Sequence, residues 1–199
     1  MRKRRERTAP RPPACDPASL EKAAVRHLQR YAATSEQLRR VLDRRLQRAI
    51  HRTEDPDERP DPEQVRADIA AVVERMQQAG MLDDRKLAFA LAAELLRRGS
   101  SVPLIRMKLR QKGIDGALLD EAITFVLQSN KEAGIDPEFA AATAYARRRR
   151  LGPFRRSEAE RAERRQKDLA ALARRGFGYG VAKRVIDADD PGDLPDPAW

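Results

Sequence analysis

Cysteine is nearly absent: Cys15 is the only one among 199 residues. An internal disulfide is therefore excluded, and the chain reads as one suited to a reducing cytosol. Aromatic residues make up only 5% of the sequence. β-branched runs are few and there is no Asn-Gly hairpin signal, so a sheet has little to be built from. No apolar run approaches the length needed to cross a bilayer. The basic N-terminus lacks the apolar segment of a secretory signal. His27 and His51 are the only histidines, and neither has a Cys or His at metal-ligand spacing. No G-x-x-x-x-G-K-[ST] or G-x-G-x-x-G phosphate loop occurs. Asp83 and Asp84 are adjacent, but they read as negative charge at a helix N-terminus rather than as a catalytic pair. No nucleophile stands with a base. The expectation is a non-enzymatic chain with no catalytic residue, no cofactor and no metal.

What the chain has in abundance is charge. Charged residues are 36% of the total and the formal net charge is +10. Such a balance predicts an acidic partner: nucleic acid, an acidic protein face or an anionic membrane. Between Arg147 and Arg184 there are fourteen Lys or Arg against four acids. A second cluster is Arg97, Arg98, Arg106, Lys108, Arg110 and Lys112, in which 106/110 and 108/112 fall at i,i+4 spacing. Like charges so placed repel, so their accumulation asks for an acidic partner. The candidate binding surface comprises that cluster together with Arg147, Arg148, Arg149, Arg150, Arg155, Arg156, Arg164, Arg165, Arg174 and Arg175.

The periodicity is helical throughout, and the fold class expected is all-α. The stretch from Arg85 to Val126 reads as three helices. Leu87, Leu91, Leu95 and Leu96 mark the first, with Asp84 as its N-cap. Leu104, Ile105 and Leu109 mark the second, with Ser101 as its N-cap and Pro103 in its first turn. Leu118, Leu119, Ala122, Ile123 and Val126 mark the third. Gly113 falls where a helix needs a left-handed residue to stop. The segments LRQKGIDGALLDEAI and LARRGFGYGVAKRVI align without a gap, pairing Leu109 with Leu172, Gly113 with Gly176, Ile114 with Phe177 and Asp115 with Gly178. The same unit recurs less clearly near the N-terminus. There Leu20, Ala24, Leu28 and Tyr31 mark a first helix, Thr34 and Gln37 form a capping box, and Asp61-Pro62 starts a third helix. Repetition of this kind indicates modules stacked in a row.

Five segments follow. Residues 1–17 are a basic, proline-rich tail expected to be disordered. Residues 18–82 are a first three-helix module carrying the acidic, proline-rich insertion HRTEDPDERPDP as a solvated loop. Residues 83–130 and 131–187 are the second and third modules, the third with an extended loop LGPFRRSEAE. Residues 188–199 are an acidic tail expected to be disordered. Helices are expected near 20–32, 35–51, 62–79, 85–98, 102–112, 116–128, 137–150, 160–175 and 179–187.

The segments YAATSEQLRRVL, GMLDDRKLAFALAAELLRRG, LIRMKLRQKGI and RRQKDLAALARRGFGYGVAKRVI resemble the RecX family of bacterial recombination regulators, from about Leu20 to Ile186. The resemblance implies tandem three-helix modules in an elongated, curved array. It implies binding to the RecA recombinase filament, with restraint of its recombinase, ATPase and coprotease activities in DNA repair and the SOS response. It also implies binding to single- and double-stranded DNA without sequence preference, as a cytoplasmic monomer that does not engage membrane. The first module departs from the family pattern in lacking the glycine corner and in carrying the insertion. The alternative reading of the residues is a helix-turn-helix-like transcription regulator, which would prefer one duplex site by orders of magnitude.

Overall fold

The computed structural model describes residues 12–132, 134 and 136–195. The expected N-terminal tail up to position 11, and the last four residues of the acidic tail, lie outside the described residues. The α-helices are α1 (Pro17–Leu28), α2 (Ser35–Arg52), α3 (Pro62–Gln78), α4 (Asp84–Arg97), α5 (Val102–Gln111), α6 (Gly116–Glu132), α7 (Pro137–Arg149), α8 (Glu158–Arg174) and α9 (Tyr179–Ile186). Short 3-10 helices lie at Pro56–Glu58, Gly152–Phe154 and Pro191–Asp193, and no strand occurs among the described residues. The chain divides into two compact units, one ending at Asp84 and one beginning at Arg85.

The first unit packs α1, α2 and α3. Its helix starts are set by local side chains. Asp16 accepts from the Ser19 N–H and Asp61 from the Glu63 N–H. Thr34 and Gln37 form both arms of a capping box. Leu20, Leu38, Leu42, Leu46, Val72 and Val73 are fully buried in its core. α1 ends at Leu28, earlier than its apolar pattern suggests. Tyr31 is therefore off the helix and 61% exposed, with its ring 5.3 Å from that of His27. α2 runs unbroken to Arg52, as the absence of a glycine at its middle implies. The insertion is exposed but contains a 3-10 turn begun by Asp55. Asp84 is not an N-cap: it is the first residue of α4, and its carboxylate accepts from the Ser35 N–H at 2.8 Å.

The second unit holds α4 to α9 around one core, and α7 runs through it. Ala140, Ala141, Ala142, Thr143 and Ala146 are all fully buried. A helix buried on every side has no amphipathic stripe to show in sequence. α7 packs against α6, α8 and α9. Gly99 brings the end of α4 onto α7 as well. A Cβ there would lie 2.6 Å from the Tyr145 nitrogen, and φ is +71°. This close approach also rotates α4 relative to its leucine pattern. Ala88, Ala92 and Leu96 are fully buried, while Leu87, Leu91 and Leu95 are half-buried. Small side chains let the backbones approach, and the leucines flank the contact.

The expected second and third modules therefore share a single core: Ile105, Leu109, Leu119 and Ile123 belong to the same cluster as Leu172, Phe177, Val185 and Ile186. The extended loop is shorter than expected. It contains the 3-10 turn at Gly152–Phe154, and α8 starts at Glu158 with Ser157 accepting from the Glu160 N–H. The C-terminal segment departs most from the expectation of a disordered acidic tail. Leu194 is buried in the core of this unit, and Arg161 donates to the carbonyls of Ala188 and Asp189. Leu194 in the core, Ala188 packed against it and the two Arg161 bonds together hold the segment against the unit.

Candidate functional site

Helix corners place the basic residues. At four corners of the second unit a residue in the left-handed conformation ends the helix, and the N–H that follows it reaches back to a carbonyl five residues earlier. Ser100 bonds to Leu95, Ile114 to Leu109, Leu151 to Ala146 and Phe177 to Leu172. Glycine occupies the left-handed position at three of them, with φ of +71° at Gly99, +80° at Gly113 and +91° at Gly176. The fourth is Arg150, at φ +54°, where a side chain strains the backbone. Among the described residues it is the one non-glycine residue with positive φ.

The basic residues named from sequence fall into distinct environments. Some are structural. Arg155 has a side chain only 15% exposed, and its guanidinium makes a bidentate contact with Asp168 at 2.7 and 2.6 Å. A further contact to Glu160 is 2.7 Å long. Hydrogen bonding to Asp168, aided by the nearby acids, holds Arg155 firmly protonated despite burial. This residue is removed from the candidate surface, because its charge is consumed inside the unit. Arg165 is bound by Asp187 through two bonds of 2.7 Å, which also hold the Asp187 carboxyl below its ordinary range. Arg106 pairs with Asp120, Arg97 and Arg98 with Glu94, and Arg164 stands 3.5 Å from Glu163. Lys112 lies at the end of α5. Arg110 and Arg156 are exposed on the surface with no acid paired to them among the described residues.

The rest converge. Tyr145, Arg148, Arg149, Arg150, Arg174 and Arg175 line a recess of about 550 Å³, with Leu151 and Ala171 at its wall. The ends of α7 and α8 meet there. Arg148 and Arg175 both lie over the Tyr145 ring, at 5.7 and 5.1 Å from its centroid. Arg147 is turned outward of this group, 5.4 Å over Phe154. Arg148 also donates to the Arg98 carbonyl at 2.7 Å. Arg175 is fixed through its backbone, whose carbonyl accepts from the Ser101 hydroxyl at 2.6 Å. The Ser101 side chain thus leaves its own helix uncapped, contrary to the sequence expectation, and serves the recess instead. Lys108 faces the same cations. Burial first, then Arg175, Arg148 and Arg98, push its ammonium below the ordinary lysine value.

No acid lines the recess, and none pairs with Arg148, Arg149, Arg150, Arg174 or Arg175 among the described residues. Two helix C-termini point here, and each contributes a partial negative charge of about one half. Five guanidinium groups outweigh them. Chemically, the arrangement can bind an anion. No cluster of three or more metal-ligating side chains exists among the described residues, and no helix of the described residues is long and apolar enough to cross a membrane. Sequence reasoning named these arginines but missed Tyr145 as their common floor.

Comparison with known proteins gives a consistent family. The chain is 39% identical over 189 residues to the regulatory protein RecX of Myxococcus xanthus, covering 94% of each chain. It is 30% identical over 164 residues to the regulatory protein RecX of Agrobacterium fabrum, covering 82% of this chain and 79% of that one. A regulatory protein RecX of Levilactobacillus brevis is 27% identical over 161 residues, 80% of this chain and 57% of the relative. No family model matches the chain, and no solved structure matches it.

Proposed function

The chain belongs to the RecX family of regulatory proteins, and from that premise we propose that it binds the RecA recombinase filament and DNA and restrains the filament's activities. In this reading it is a non-enzymatic, cytoplasmic monomer that acts in DNA repair and the SOS response by occupancy alone. The helices α4–α6 and α7–α9 are read as two copies of one three-helix repeat, with α1–α3 as a more divergent copy. The observation that carries the reading is the recess at the ends of α7 and α8, where five arginines stand together with no acid to neutralise them. Such a surface suits phosphates and acidic protein faces, and it carries no sequence information of its own. A bound chain that bridges neighbouring recombinase subunits would resist the motions that accompany nucleotide hydrolysis.

The test is sedimentation of the chain with RecA filaments on single-stranded DNA, with DNA alone and without DNA, over a series of salt concentrations. The expected result is co-sedimentation with filaments, slowed ATP hydrolysis, and DNA affinity that falls with salt alike for unrelated sequences. A chain that stays in the supernatant with filaments at low salt overturns the reading. A strong preference for one duplex sequence replaces it with a transcription regulator.

A further inference from the structure

We propose that the recess between the ends of α7 and α8 is a built phosphate site, with Arg148 and Arg175 clamped over Tyr145 and Arg150 and Arg174 at its rim. The observations are independent of any partner's identity. Arg175 Nε is buried without a hydrogen-bond partner among the described residues, so this guanidinium is not satisfied from within the protein. Lys108 and Arg98 approach Arg148 and Arg175 from the α4–α5 side, closely enough that Lys108 feels all three. Of these cations only Arg98 has an acid partner among the described residues, Glu94; a cluster of this density repels itself, and a multiply charged oxyanion is the chemistry that relieves it.

Arg150 adds a further sign. Glycine at its left-handed corner would hold the same turn with less strain, as Gly113 and Gly176 do. A strained arginine at the mouth of a cationic recess points to a use for its side chain. The ligand class is a phosphate group, either a phosphodiester of a nucleic-acid backbone or a free diphosphate or nucleotide. The inference rests on the preceding reading only for the choice of the first source.

The test uses the full chain with pyrophosphate, and separately with single-stranded oligonucleotides of two unrelated sequences, by calorimetric titration at low salt. Three variants are compared: Arg150→Gly, Arg150→Gly with Arg174→Gln, and Arg184→Gln. The last removes an exposed cation of α9 that pairs with Asp136. Arg150→Gly relieves the strained corner, so its Tm should be unchanged or raised while its affinity falls about threefold. The double variant should lose about tenfold, since charge-assisted bonds to phosphate are being removed. Arg184→Gln should stay within about twofold for pyrophosphate, a small polyanion that reaches only one site.

Loss for pyrophosphate alone assigns the site to a free phosphate ligand. Loss for oligonucleotides, with or without loss for pyrophosphate, assigns it to a nucleic-acid backbone. Affinity for both ligands within twofold of wild type in the double variant overturns the site. Because no recombinase is present, this result is separate from the failure of the filament reading.

Discussion

Asp168→Ala should be among the most damaging single substitutions in the second unit, although it replaces one acid in a strongly charged helix. Asp168 is 1% exposed. Its carboxylate accepts from the Gly152 N–H at 2.9 Å and from Arg155 at 2.7 and 2.6 Å. Truncation leaves a buried N–H without an acceptor, a cost of about 1–3 kcal/mol. It also leaves a mostly buried guanidinium without its main partner. Breaking a buried pair from one side costs roughly 3–5 kcal/mol. Arg155 keeps Glu160 and is 15% exposed, which places the sum near the lower end. The expectation is a loss of about 4 kcal/mol, or roughly 15 °C in Tm for a unit of this size. The assay is urea and thermal unfolding followed by far-ultraviolet circular dichroism. Asp168→Leu combined with Arg155→Met should cost less than the two single changes added, since neither charge is left buried alone. A loss below about 1 kcal/mol for Asp168→Ala, or strict additivity in the double variant, refutes the assignment of Arg155 to the interior rather than to the binding surface.

Two further outcomes follow from the corners and the recess. Gly176→Ala should cost about 2 kcal/mol by urea midpoint, because φ is +91° and the new Cβ would meet the Ser101 hydroxyl at 2.7 Å, whereas Gly178→Ala, with φ −63° and open space, should cost well under 1 kcal/mol; equal costs would discard the shared corner geometry. Lys108 has a lowered pKa in the folded chain, so the unfolded chain binds more protons between that lowered value and the ordinary lysine value, and wild-type stability should rise with pH across this window. Lys108→Met should be more stable than wild type at neutral pH and low salt, lose that advantage as salt or pH rises, and show no such rise of its own; a destabilised variant at low salt would mean that Lys108 is not repelled by Arg175, Arg148 and Arg98.

Much of the helical framework is legible in the chain because it is made by neighbours in sequence. The capping box of Thr34 and Gln37, the Asp61-Pro62 start, and the left-handed glycines at 113 and 176 each act within one turn, and each stands where the pattern places it. Partners at i+3 or i+4 need no tertiary information. The all-helical class follows from the same local preferences. Tertiary packing decided the rest. α7 carries no stripe to read, and it is buried on every side because α4, α6, α8 and α9 all reach it.

The roles of the arginines were decided the same way. Arg148 and Arg155 are equivalent letters in one basic run, yet Asp168 takes Arg155 into the unit's interior while no acid pairs with Arg148, leaving it at the recess. Ser101 caps its own helix in sequence logic, but the Arg175 carbonyl lies closer to what its hydroxyl can satisfy. Leu194 converts an acidic, proline-rich segment into part of the core. In each case the sequence determined which groups the chain possesses. Which of them remain charged, unpaired and open to a ligand was settled by contacts between residues far apart in the chain, because the energy of a charge depends on the distance to its counter-charge and to water, and only the folded arrangement sets those distances.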